Sequence, residues 1–107
     1  MNQTAAVELP VAIPAEVIDF AASQGVSDYL YPVLEMTRRV FPSSGITMSM
    51  DEDPEIAGDR HIVLSVDMTN LGVEEIVKTE WQWCGELFHC CPATQVWVFR
   101  LGAVVSP

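Results

Sequence analysis

The residue types best suited to metal and thiol chemistry gather in one short segment, which contains Cys84, His89, Cys90 and Cys91. Thiolate and imidazole groups are preferred zinc ligands, and two ligands on one helix must be three or four residues apart to share a face. Apolar residues occupy those positions after Cys84, and Cys91 lies a full heptad away, about 10.5 Å along a helix axis. The spacing therefore predicts structural cysteines, and these four residues remain candidates for a metal site only if the helix end frays.

The residues available for acid–base catalysis are few. The chain has two histidines and contains none of the patterns G-x-S-x-G, G-x-G-x-x-G or the P-loop. His61, at the polar start of a predicted strand, is expected to be a surface histidine. With Asp67 and Glu80 it is a candidate catalytic residue only if a pocket brings the three together. The sequence therefore favours a protein that is not an enzyme.

An acidic stretch at residues 51–60 begins like a calcium-binding loop, because Asp51, Asp53 and Glu55 alternate. A calcium loop also needs glycine at its sixth position and an acid at its twelfth, and both positions hold isoleucine here. The stretch is therefore expected to be a solvated hairpin loop, and neither a metal nor another cofactor is expected in the protein.

The first part of the chain has the periodicity of two helices. Residues 1–13 are expected to be an extended leader, followed by a helix from Pro14 to Gln24 that ends at Gly25. A second helix is expected to begin at Ser27 or Asp28 and to end before Pro42.

After Pro42 the pattern of apolar residues changes from a helical period to alternation. Two strands around residues 46–50 and 62–68 should form an antiparallel pair. A third helix is expected from a cap at Asn70 to about Cys90, with Cys84 and Cys91 on its core face together with Val77 and Phe88. The last strand is expected at residues 95–101, and residues 102–107 form a tail.

This order, ααββαβ, predicts a two-layer α+β fold. The crossover through the third helix should make the second and third strands parallel. The sequence thus predicts a single domain over residues 1–107, with a three-stranded mixed sheet and helices mainly on one face.

The acidic composition of the chain argues against nucleic acids and anionic membranes as partners. The chain has 107 residues, 50% of them hydrophobic, and a formal net charge of −10. Nucleic-acid binding relies on a basic stripe, which this sequence lacks, and anionic membranes would repel an acidic surface. The three clustered cysteines and the start of the chain, which does not resemble a signal peptide, favour a cytoplasmic protein.

The chain also has more apolar residues than one buried face can use. Trp81 cannot share a helix face with Trp83, and Val96 and Val98 should face opposite to Trp97 on the last strand. Either the leader or tail covers these residues, or they form an interface with another protein.

Residues 29–42 (YLYPVLEMTRRVFP), 51–56 (DEDPEI) and 91–94 (CPAT) resemble small bacterial proteins of unknown function. The resemblance implies a bacterial cytoplasmic origin and no activity.

The sequence thus favours a protein–protein interaction module, either dimeric or an acidic, antitoxin-like partner of a basic protein. Its interface would include Trp81, Val96 and Val98. The alternative is a small enzyme or ligand-binding protein with a pocket between the third helix and the sheet.

Overall fold

A computed structural model describes residues 13–105. Three α-helices and a three-stranded sheet lie within that range, in the order ααββαβ. The elements are α1 (Ala15–Ser23), α2 (Leu30–Val40), β1 (Ile46–Glu52), β2 (Arg60–Asp67), α3 (Val73–Cys90) and β3 (Phe99–Val104), with short 3₁₀ turns at Ser27–Tyr29 and Val96–Val98. The predicted α+β class and element order are confirmed.

The sheet has the strand order β1-β2-β3, with β2 in the centre. β1 pairs with β2 antiparallel, with Met48 opposite Leu64. β2 pairs with β3 parallel, with Leu64 opposite Leu101. The mixed sheet predicted from the crossover is confirmed, and β1 and β3 are its two edge strands.

Alternation along the strands gives the sheet one apolar and one largely polar face. The apolar face packs into the core, and its buried members are Ile46, Met48, Ile62, Leu64, Val66 and Phe99. The opposite face carries small and polar side chains such as Thr47, Ser49 and Ser65, which are exposed or half-buried. The core therefore lies between the sheet and the helices.

The first helix forms as its sequence predicts, whereas the second begins at Leu30 and not at Ser27 or Asp28, because residues 27–29 form a 3₁₀ turn. α1 begins after Pro14 and is followed by Gly25, whose φ of 72° suits the left-handed turn after a helix. α2 has Pro32 in its first turn, where no intrahelical donor is required. Both helices bury their apolar faces, with Val17, Phe20 and Ala21 contributed by α1.

A buried chain of hydrogen bonds fixes α3 against α2. The indole Nε1–H of Trp83 donates to Thr37 Oγ1 over 2.8 Å, and the Thr37 hydroxyl donates to the Val33 carbonyl oxygen, also over 2.8 Å. Both donors in this series of hydrogen bonds, the Trp83 indole and the Thr37 hydroxyl, have an acceptor. The contact therefore orients α3 as well as holding it. It determines which face of α3 remains uncovered.

The start of α3 differs from the sequence expectation. The N-cap is Gly72, not Asn70. The chain first makes a turn in which the Leu71 N–H donates to the Met68 carbonyl oxygen, and Asp67 Oδ1 accepts from the Thr69 N–H. This turn at the end of β2 delays the helix by two residues, about half a helical turn.

The core face of α3 was also predicted wrongly in part. Ile76, Trp83 and Leu87 face the core, whereas Cys84, Val77 and Phe88 are exposed. Cys91 is buried as expected, because it follows the helix end. The physical reason is the Trp83–Thr37 bond, which rotates the Trp83 side of the helix toward α2.

The last strand begins later than expected. As a result, the residues just before it face opposite to the predicted direction. Val96–Val98 forms a 3₁₀ turn, so the alternation of a strand does not extend through it. Val98 is only 1% exposed and Val96 is partly buried against the core, whereas Trp97 is exposed. The outward facing expected for Val96 and Val98 is therefore not found, because the chain itself covers Val98 and, in part, Val96.

The expected leader and tail are only partly covered by the described residues. Residues 1–12 lie outside them, and Ile13 packs against the core. Of the expected tail, residues 102–104 belong to β3, and residues 106–107 lie outside the described range.

Candidate functional site

α3 has more apolar surface than the rest of residues 13–105 covers. At about 100° per residue, the apolar side chains occupy an arc of about 180°, half of the helix circumference, and Glu80 is the one charged residue inside it. One part of the arc is buried against the core and consists of Ile76, Trp83, Leu87 and Cys90. The other part is exposed and consists of Val73, Val77, Trp81, Cys84 and Phe88.

The side chains of this second part are unusually exposed for apolar residues. Trp81 is 77% exposed, Val73 78% and Phe88 59%. Single exposed apolar residues are ordinary, whereas a contiguous row along four turns of helix is characteristic of an interface. We call the exposed row, together with Leu101 of the neighbouring strand, the α3–β3 surface.

A groove of about 450 Å³ runs between α3 and β3 along this surface. Its helix wall includes Trp83, Cys84 and Phe88, and its strand wall includes Phe99 and Leu101. Most of the wall is therefore apolar. Two charged residues, Glu80 and Arg100, complete the lining.

β3 borders this groove with an edge that no other strand within residues 13–105 pairs with. The Met68 N–H donates to the Val104 carbonyl oxygen over 2.8 Å, which shows that Val104 directs its backbone groups toward β2. By the alternation of a strand, Phe99, Leu101 and Ala103 direct theirs away from β2. Edge strands usually carry lysine, proline or a bulge against unwanted pairing, and Phe99–Val104 carries only Arg100 as a charge.

The other sheet edge differs in charge. β1 ends in Asp51 and Glu52, which are exposed, and an acidic hairpin loop follows. The carboxylates of this loop bind its own backbone: Asp53 Oδ1 accepts from the Glu55 N–H at 2.8 Å, and Glu52 Oε2 from the Gly58 N–H at 3.4 Å. These two hydrogen bonds stabilise the loop.

His61 is buried, not at the surface as the sequence suggested. Only 4% of it is exposed. Nδ1 lies 2.9 Å from the Trp97 carbonyl oxygen and Nε2 lies 2.9 Å from Asp59 Oδ1. The Trp97 ring packs edge-on against the imidazole and covers it, which a sequence-local argument could not foresee.

The three catalytic candidates are not gathered at one place. His61 and Asp67 lie at opposite ends of β2, about 20 Å apart at the rise of a strand, and Glu80 lies in the groove beside α3. A hydrogen bond from Thr69 lowers the pKa of the Asp67 carboxyl, which is fully exposed. The arrangement provides no shared site in which these groups could exchange a proton.

The metal candidates are also dispersed. Cys84 and His89 are exposed, Cys90 is half-buried and Cys91 is buried. Burial raises the pKa of the Cys90 and Cys91 thiols above their usual range, which disfavours the thiolate that a metal requires. Within residues 13–105 no group of three or more such side chains could hold a metal ion.

A larger concavity, about 580 Å³, lies elsewhere, near the start of β1, where Arg38, Phe41 and Asp67 contribute to its lining. Arg38 is occupied by Glu35 at 3.1 Å, and Asp67 by the turn that follows β2. The two charged groups of this concavity therefore already have partners, whereas the groove between α3 and β3 is lined mainly by apolar side chains.

Of the predicted interface residues, Trp81 lies on the α3–β3 surface, whereas Val96 and Val98 do not. The sequence analysis missed Val73, Val77, Cys84 and Phe88. Their spacing of four, seven and four residues was visible in the sequence, but it was interpreted as a core face. The width of the whole apolar arc was the signal that would have found them.

Comparison with family models, with curated proteins and with solved structures finds no match to this chain. Among the described helices, none combines the length and the hydropathy that a membrane crossing requires.

Proposed function

We propose that the chain is a non-catalytic protein–protein interaction module that binds its partner through the α3–β3 surface. The observation that carries the proposal is the apolar row on α3, beside an edge of β3, both of which the described part of the chain leaves uncovered. Such a row costs free energy in water at roughly 25 cal/mol per Å², and a protein partner removes it from water.

The geometry of the surface suits a protein better than a small molecule. It extends along the whole of α3, from Val73 to Phe88, and not around a closed cavity. The two kinds of recognition that it offers are packing against a helix and hydrogen bonding to a strand edge, and both are common modes of peptide recognition.

The test is affinity capture with three versions of the tagged chain. The Trp81→Ser/Phe88→Ser double variant removes the two largest exposed side chains. Tyr31→Ser is the matched control, because Tyr31 is a similarly exposed aromatic residue, at 62%, on α2. We expect wild type and Tyr31→Ser to retain the same partner, whether it is a second copy or another protein, and the double variant to lose it.

Equal capture by all three chains would contradict the proposed surface. Circular dichroism of each variant checks that the fold is retained, which we expect because both substituted side chains lie outside the core.

The alternative function is the binding of a small apolar ligand in the groove. Its volume of about 450 Å³ is within the range of small-ligand sites. Of the three candidate acid–base residues only Glu80 lines it, so this alternative concerns binding and not catalysis. A ligand in the groove would be displaced by Cys84→Trp, whereas a protein partner on the outer row would also need Trp81.

A further inference from the structure

We propose that the occupant of the α3–β3 surface is a second copy of this chain. A two-fold axis would pass through the middle of β3, so that β3 pairs antiparallel with its copy and α3 packs against α3. This inference rests on the proposed function, because it names the partner of the same surface. It is supported by the strand edge, by the charges and by the area.

The strand edge is suited to pairing with itself. Phe99, Leu101 and Ala103 direct their backbone groups outward, and a two-fold axis at Leu101 places Leu101 opposite its own copy. Phe99 then lies opposite Ala103 of the second copy, a large side chain beside a small one. All of these are hydrogen-bonded positions of an antiparallel pair, which gives about six hydrogen bonds across the axis.

The polar side of the sheet accommodates the same register. Arg100 of one copy would lie opposite Gly102 of the other. Gly102 has no side chain, and a Cβ there would lie only 3.0 Å from Val63 Cγ1. No side chain therefore occupies the position opposite Arg100. The aliphatic part of the Arg100 side chain can lie across the junction between the two β3 strands.

The charges select β3 over β1 as the edge between two copies. Each copy has a formal net charge of −10, so two copies repel unless their acids are kept apart. β1 carries Asp51 and Glu52 at its end, and pairing it with itself would bring acids together. β3 carries no acid, and the exposed row on α3 carries none either.

The same charges argue against a basic protein on this surface. A basic partner is recognised by acids at the contact, whereas in the described part of the chain the row itself carries no acid and Glu74 and Glu80 only flank it. A second copy presents the same apolar row and requires no charge complement.

The available area matches a small, specific dimer. Trp81 and Phe88 together expose on the order of 300 Å². Val73, Val77, Cys84 and the edge of β3 bring the total to roughly 500 Å² for each copy, or roughly 1,000 Å² for the pair. Specific interfaces begin at about this size, so we expect a dimer that dissociates on dilution.

The experiment measures the mass of the full chain by light scattering over a range of concentrations. We expect wild type to reach twice the chain mass of 11.8 kDa. Ala103→Pro removes an outward N–H that β2 does not use, so it blocks the edge without breaking the sheet. Trp81→Asp places a charge in the row. We expect each variant to raise the dimer dissociation constant at least about 100-fold, with Tyr31→Ser unchanged.

Cys84 gives a second measurement of the same geometry. Cys84 and Leu101 line one groove, so a two-fold axis at Leu101 brings the two copies of Cys84 near each other. A short bifunctional maleimide should cross-link wild type into a dimer. The cross-link should be absent from Cys84→Ser, which still dimerises, and from Ala103→Pro.

The contradicting outcomes are distinguishable. If wild type is a monomer at every concentration and a different protein is captured only by chains that keep Trp81, the second copy is wrong and the proposed surface stands. If wild type is a dimer that both Ala103→Pro and Trp81→Asp leave intact, the surface itself is wrong. Both proposals fail if wild type is monomeric and the Trp81 variants change no binding.

Discussion

At the scale of single residues, His61 shows how a buried polar group is stabilised by long-range contacts. Its two ring nitrogens face the Trp97 carbonyl oxygen and Asp59 Oδ1, and both of these atoms are acceptors. Both hydrogen bonds can therefore form together only when both nitrogens carry a proton. The contact links the start of β2 to the turn before β3, and so it supports the strand that borders the groove.

Replacing His61 with Phe should destabilise the fold, because the Trp97 carbonyl oxygen loses its hydrogen-bond partner in a partly buried place. We expect the free energy of unfolding to fall by about 2 kcal/mol, measured by urea denaturation. Asp59→Asn, which keeps an oxygen beside Nε2, should cost less than half as much. A change within about 0.5 kcal/mol for His61→Phe would show that the two hydrogen bonds contribute little.

At the scale of elements, the sequence predicted the order and type of every helix and strand because each has a clear period. α1, α2, β1 and β2 lie close to their expected positions. The prediction was wrong where contacts between residues distant in sequence determine the start or the orientation of an element. The start of α3 is delayed by the turn after Met68, and its rotation is determined by the bond between Trp83 and Thr37.

The 3₁₀ turn before β3 could not be predicted from alternation either, because VWVF has the composition of a strand. Within the candidate site, Trp81 was therefore identified and Val98 was misplaced. Trp81 was found because a second tryptophan two residues away cannot share its face, which is a local argument. The remaining members of the row were missed because only the packed structure shows which half of the α3 arc is covered.

The position of Val98 gives the element-scale prediction. Val98→Asp places a carboxylate in the core, where the native side chain is only 1% exposed. We expect a loss of more than about 3 kcal/mol of stability, visible as an unfolded or strongly destabilised chain in circular dichroism. Trp97→Asp, on the exposed neighbour in the same turn, should remain folded. A folded monomeric Val98→Asp chain would instead place Val98 at an interface.

At the scale of the whole molecule, a small acidic domain presents two very different sheet edges. Acids at the end of β1 and in the hairpin loop protect one edge, while the edge of β3 and the adjacent row on α3 are apolar. The net charge of −10 makes two copies repel, and the proposed dimer places them in contact on the mainly apolar side. Under that proposal the molecule is divided into a protected and an associating side.

The most direct test of this division is amide hydrogen exchange along β3, measured by NMR at low and high protein concentration. In the dimer, the N–H groups of Leu101 and Ala103 lie between the two copies, so their exchange should slow as concentration rises. Gly102 and Val104 face β2 in either state, so their exchange should depend far less on concentration and serves as the internal control. Fast exchange of Leu101 and Ala103 at every concentration would contradict the pairing of β3 with a second copy.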